Sequence, residues 1–151
     1  MTDARFDRIY REHAEEYHAL VMREDHEERL LPAILTAVDL RGRDVVELGA
    51  GTGRVTALVA PHAARVRAFD RSPAMLGRAA RYLADLPEPP PPGRVTFYEA
   101  ANSAVPLPDA CTDVVIEGWS FGHSVVDAGD DWEAAASALL DESFRLLRSG
   151  G

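Results

Sequence analysis

Gly49, Gly51 and Gly53 stand at alternate positions directly after the β-rich run Asp44-Val45-Val46-Glu47-Leu48, and before a stretch with Val55, Leu58 and Val59 at helical spacing. Where the carboxyl end of a strand meets a helix N-terminus, backbone amides point outward and only glycine lets a ligand come close to the chain. The plainer reading is a tight turn that merely reverses direction. The G-x-G-x-x-G pattern that cradles a dinucleotide pyrophosphate needs a further glycine at the position held here by Arg54, which disfavours that ligand. Asp70 closes a second β-rich run, Arg65 to Asp70, 21 positions after Gly49. An ionised carboxylate there accepts hydrogen bonds only, which suits a sugar with two free hydroxyls and rejects a phosphorylated one. Its alternative role, capping the next helix, is already filled by Ser72.

Other side chains able to do chemistry lie further along. In Glu117-Gly118-Trp119-Ser120-Phe121-Gly122-His123, read as a loop leaving the carboxyl edge of a sheet, His123 is the proton acceptor suited to neutral pH. It is either a general base or a packing residue satisfied by a carbonyl. Trp119 and Phe121 are either core or lid. Tyr10 and Tyr17 lie two turns apart on one helical face and would dock that helix on the domain. His13, His18 and His26 with Asp25 do not gather on one face as an H-E-x-x-H pair would, so no metal is expected.

These residues must be held by regular elements. Apolar positions recur at three and four residues from Phe6 to Val21 and from Leu30 to Val38, predicting two opening helices that end near Gly42. Strands follow at Asp44–Leu48 and Arg65–Asp70, and a helix capped by Ser72 and opened by Pro73 carries Met75, Leu76, Ala79, Tyr82, Leu83 and Leu86 on its apolar face. Pro87 and Pro89 to Pro92 form a stiff connector to a strand at Arg94–Tyr98. The run Asp113–Glu117 reads as a fourth strand buried on both faces, then a loop from Gly118 to Gly129 leads to a last helix from Trp132 to Leu147. Strands alternating with helices predict an α/β, doubly wound parallel sheet.

With those elements in order, the residues carry a resemblance. Val45-Val46-Glu47-Leu48-Gly49-Ala50-Gly51-Thr52-Gly53 resembles the first motif of the class I S-adenosylmethionine-dependent methyltransferases, and Phe69-Asp70-Arg71-Ser72-Pro73-Ala74-Met75-Leu76 the second. Val105 to Asp109 through Val115 is similar to the approach to their fourth strand, and Leu146 to Gly151 to the turn before their fifth. The subgroup it resembles is the type 11-like one acting on small molecules. The resemblance implies a Rossmann-like methyltransferase fold, S-adenosylmethionine as cofactor, and a methyl group moved to a small-molecule acceptor by direct displacement. It implies that Gly49, Ala50 and Gly51 lie against the methionine part, with Glu47 and Gly118 in the same site. Asp70 would hold the ribose, and Arg71 and Met75 flank adenine. Tyr17, in His13-Ala14-Glu15-Glu16-Tyr17, would belong to an N-terminal lid over about residues 1–40. The acid that the family places after its third strand aligns with Ala101, leaving Asn102 or a backbone amide to meet adenine. Two rival readings stay open: a cofactor-binding module without turnover, and an NAD-dependent oxidoreductase.

Composition narrows the setting. The 151 residues carry a formal charge of −9, and all 16 basic side chains are arginine, a surface that repels phosphate backbones and anionic lipid. Neither nucleic acid nor a membrane is expected as a partner. Cys111 has no second cysteine to pair with, and the charged start Met1-Thr2-Asp3-Ala4-Arg5 does not resemble an export signal, so a cytoplasmic setting is expected. The whole of 1–151 reads as one domain whose C-terminal strands are missing, so the expectation is either a fragment of a longer enzyme or an exposed sheet edge that a homo-oligomer or partner chain covers.

Overall fold

The computed structural model describes residues 4–151. The reading of Met1, Thr2 and Asp3, and the side chain of Phe6, lie outside the described residues. Three helices open the chain, α1 (Ala4–Glu12), α2 (Ala14–Val21) and α3 (Leu30–Ala37). The alternation that follows is β1 (Asp44–Leu48), α4 (Arg54–Val59), β2 (Arg65–Asp70), α5 (Pro73–Ala84), β3 (Val95–Glu99), β4 (Val114–Glu117), α6 (Trp119–Asp127) and α7 (Trp132–Leu146). The four strands form one parallel sheet in the order β3-β2-β1-β4. This is the doubly wound α/β arrangement that the alternation predicts.

The sheet is central because β1 is apolar on both sides. Successive strand residues face opposite ways, so Val45 joins Leu40, Val59, Val66 and Val114 in one cluster, while Val46 and Leu48 join Phe69, Val105 and Leu146 in another. Burying a Val or Leu side chain fully is worth about 1.5–3 kcal/mol, which makes these two clusters the frame that fixes the strand ends. At the start of α5 the Ser72 hydroxyl accepts from Met75 N at 3.4 Å and Pro73 fills the first turn, as the sequence predicts.

The structure corrects four readings. The first opening helix is broken at His13, whose φ −130°, ψ 35° is not helical, so Tyr10 and Tyr17 belong to two helices. The strand expected at Arg94–Tyr98 runs one residue later, because Arg94 N is used by the turn carbonyl of Pro91. Strand β4 is fully buried only at Val114, since it lies at the edge of the sheet with β1 on one side. Lastly, the segment after it is helical. Trp119, His123 and Asp127 share one face of α6 at four-residue spacing, and Gly118 and Gly122 masked that period in the sequence. Beyond α7 the chain returns to the sheet, with Leu147 bridging Thr112 in parallel.

Candidate active site at the carboxyl edge of the sheet

The loop between β1 and α4 is pinned to the neighbouring strand, Gly49 N and Ala50 N both donating to the Phe69 carbonyl at 2.8 Å. Its three glycines have φ of +73°, +54° and +86°, values that disfavour any residue with a side chain. They serve different ends. A Cβ on Gly49 would overlap Ser120 of α6, whose hydroxyl donates to the Leu48 carbonyl at 3.0 Å. A Cβ on Gly53 would come within 2.9 Å of Ala79 in α5. A Cβ on Gly51 meets nothing within 4 Å. Two of the glycines therefore make room for helices, and Gly51 keeps backbone open to the cavity in front of it.

That cavity holds about 520 Å³, within the roughly 300–1,000 Å³ of small-molecule sites. It is lined by the residues expected to hold cofactor or do chemistry, Tyr17, Glu47, Gly49, Ala50, Gly51, Asp70, Arg71, Met75, Ala101, Asn102, Gly118 and His123, and by Trp119, but not by Phe121. Sequence reasoning missed several of its walls. Spacing assigns Tyr10 to docking and Arg54 to the place of a missing glycine, while Leu20 and Val21 at the end of α2, Glu24 in the turn after it, and Ser120, Ser124 and Asp127 of α6 carry no motif. Recognising α6 as a helix would have aligned His123 with Trp119 and Asp127.

Three carboxyl groups in and around the cavity, Asp70, Glu47 and Glu117, are displaced from ordinary values. Asp70 Oδ2 accepts from Gly51 N and Oδ1 from Ser72 N, each at 2.8 Å. Burial raises its pKa, and those two amides oppose the rise. Two of its four acceptor sites remain for a ligand. Burial likewise pushes Glu47, only 3% exposed, up to about 7, though the Thr56 hydroxyl donates to its Oε2 at 2.5 Å. Glu117, at the end of β4, is pushed by burial to about 7 as well and accepts from Asn102 Nδ2 at 3.4 Å. The Asn102 side chain is thus oriented by the carboxyl at the end of β4.

Also lining the cavity, Tyr10 Oη and His123 Nδ1 are hydrogen-bonded at 3.2 Å, and the Tyr10 and Tyr17 rings pack edge to face with centroids 5.3 Å apart. Burial, followed by the neighbouring Tyr17, raises the Tyr10 pKa. His18 is hydrogen-bonded to the Thr52 hydroxyl at 2.8 Å and packs against Tyr82 with the ring planes tilted by 59°, and burial lowers its pKa. Among the described residues no group of three His, Cys, Asp or Glu is placed to hold a metal ion, and no helix is long and apolar enough to cross a membrane.

Three comparisons bear on this site. A methyltransferase-domain family matches residues 45–151. A probable S-adenosylmethionine-dependent methyltransferase of Mycolicibacterium smegmatis is 34% identical over 111 residues, covering 73% of this chain and 36% of the relative. Among solved structures, the DhpI complex with SAH is 28% identical, with a TM-score of 0.67, 94% of this chain and 62% of that one covered. The Haemonchus contortus phosphoethanolamine N-methyltransferase 1, solved with phosphoethanolamine and S-adenosylhomocysteine, shares the fold at 22% identity and a TM-score of 0.59, over 78% of this chain and 23% of that one. The chain thus spans about a third of the curated relative it matches.

Proposed function

Since the chain belongs to the methyltransferase-domain family, as a class I, type 11-like member, we propose that it binds S-adenosylmethionine in this cavity and serves methyl transfer to a small-molecule acceptor. The observation that carries the reading is the pairing of Gly51's uncovered backbone with the oriented Asp70 carboxylate at one cavity mouth. The residues present fit the cofactor. Asp70 holds the ribose hydroxyls on its remaining acceptor sites. Gly49, Ala50, Gly51, Glu47 and Gly118 border the methionine part, with Arg71 and Met75 on either side of adenine. Adenine recognition falls to the Ala101 backbone and to Asn102, held by Glu117.

When bound, the cofactor supplies an electrophilic methyl group on a sulfonium. The chain's own contribution is chiefly placement and exclusion of water, effects that supply up to about 7–11 kcal/mol. Tyr17 and Tyr10 close the site from the N-terminal side, and His123, oriented through its Nδ1 contact with Tyr10, takes the proton from an acceptor hydroxyl. The acceptor lies in the half of the cavity between the α2 end (Leu20, Val21, Glu24) and α6 (Trp119, His123, Asp127). Titration calorimetry with S-adenosylhomocysteine, followed by a radiolabelled methyl-transfer screen over small acceptors, tests the reading. Saturable binding and transfer are expected; no binding of S-adenosylhomocysteine would sink it.

A further inference from the structure

Arg54 occupies the first position of α4, directly after the glycine loop, yet its side chain leaves that loop and crosses the cavity wall. It is 9% exposed. Its Nη1 donates to the Val21 carbonyl at 2.8 Å, its Nη2 lies 3.1 Å from Glu24 Oε2, and its guanidinium stands over the Trp119 ring at 4.4 Å from the centroid. One planar group therefore touches both walls of the acceptor half, the end of α2 and the start of α6.

We propose that Arg54 is the positioning residue that sets the width of the acceptor half by clamping α2 to α6, and thereby limits which acceptors enter. The assignment rests on reading the cavity as a methyltransferase site. Further ties of α2 lie nearer its N-terminal end: Glu15 pairs with Arg78 and Arg81, His18 with Thr52, and the Tyr17 ring packs on Tyr10. Among the described residues, the polar contacts that hold Val21 and Glu24 to the glycine-loop side are those of Arg54. At the far side, α6 begins at Gly118 without a side-chain cap, and its first residue is the ring under the guanidinium. Only a guanidinium has the planar fork to engage a carbonyl, a carboxylate and a ring face together; a lysine ammonium does not. The pairing with Glu24 also keeps a buried cation from being left uncompensated beside a cofactor that is itself cationic.

Amide hydrogen exchange on the full chain, with and without S-adenosylhomocysteine, compares the parent with Arg54→Ala, Arg54→Lys and Glu24→Gln. In Arg54→Ala, residues 17–24 are expected to exchange about tenfold faster, with β1 and β2 unchanged and S-adenosylhomocysteine affinity reduced less than about threefold. Arg54→Lys should not rescue the exchange. In a Trp132→Phe background, where Trp119 is the reporting indole, acrylamide should quench it more readily once Arg54 is gone. Glu24→Gln should show the same loosening to a smaller degree, and it decides the matter if Arg54→Ala does not fold. Unchanged exchange at residues 17–24 in the variants that fold, or full rescue by lysine, would overturn the clamp. Failure of the parent to bind S-adenosylhomocysteine instead sinks the cofactor reading, and the exchange data still judge the clamp.

Discussion

Asp70 and Glu47 are neighbouring carboxylates with different tasks, and the difference is visible in their partners. Asp70 lines the cavity and keeps two acceptor sites that the Gly51 and Ser72 amides do not use, so Asp70→Ala should weaken S-adenosylhomocysteine binding by tenfold or more, since hydrogen bonds to a charged group are worth about 1.5–3 kcal/mol. Asp70→Asn should be milder, and calorimetry showing parental affinity in Asp70→Ala would remove it from the ribose. Glu47 is a matter of folding as well as binding. Its folded pKa of about 7 lies above its ordinary 4.5, so between those values the folded state binds more protons than the unfolded one, and stability falls as pH rises. Glu47→Gln abolishes that penalty. It should exceed the parent in stability at pH 8 by a margin on the order of 3 kcal/mol at most, shrinking toward pH 5. Urea midpoints across that range check it, with Glu117→Gln as a companion because Glu117 titrates in the same window.

At the scale of elements, the decisive one is α6, because it carries His123 and closes the glycine loop from above. Gly122 lies inside it, exposed, and a Cβ there would meet nothing within 4 Å. Gly122→Ala is therefore expected to stabilise the chain by about 0.5–1 kcal/mol, the ordinary gain in a helix interior. Gly77→Ala in α5, equally open, should gain as much, whereas Gly49→Ala should lose stability because Ser120 stands where its methyl would go. Denaturant midpoints falling for Gly122→Ala would mean the segment is not helical. This element also marks the limit of what was legible beforehand. Strand β1, α5 and its cap were plain because their signals are local: a β-rich run, a Ser-Pro start, a clear period. The helix at 119–127 was not, since its two glycines read as loop and its face is polar toward a cavity instead of apolar toward a core. For the site the division is similar. Gly51 and Asp70 were legible from spacing alone, while Tyr10, Arg54 and Glu24 reach the cavity only through a helix break and a long side chain that no period announces.

The whole molecule is organised so that its cavity draws on nearly every part of the chain: the ends of β1 and β2, the segments after β3 and β4, both tyrosine helices, and faces of α6 and α7. A site assembled from so many separated segments exists in the folded state and not in the unfolded chain, so a ligand that occupies it must stabilise the fold by mass action. At a ligand concentration of 100 times Kd the gain is about 2.7 kcal/mol, and for a chain of this size each kcal/mol raises Tm by about 2–4 °C. S-adenosylhomocysteine at that concentration is accordingly expected to raise Tm by roughly 5–11 °C. NAD should do nothing at the same concentration, because Arg54 takes the place of the glycine that close pyrophosphate packing needs, and its side chain is committed to Val21 and Glu24. The reverse result, a shift with NAD and none with S-adenosylhomocysteine, would mean that the glycine loop and Asp70 serve a dinucleotide despite Arg54. The increment should also depend on Asp70, falling in Asp70→Ala by the free energy that calorimetry assigns to the lost contact, since both measurements report the same binding equilibrium.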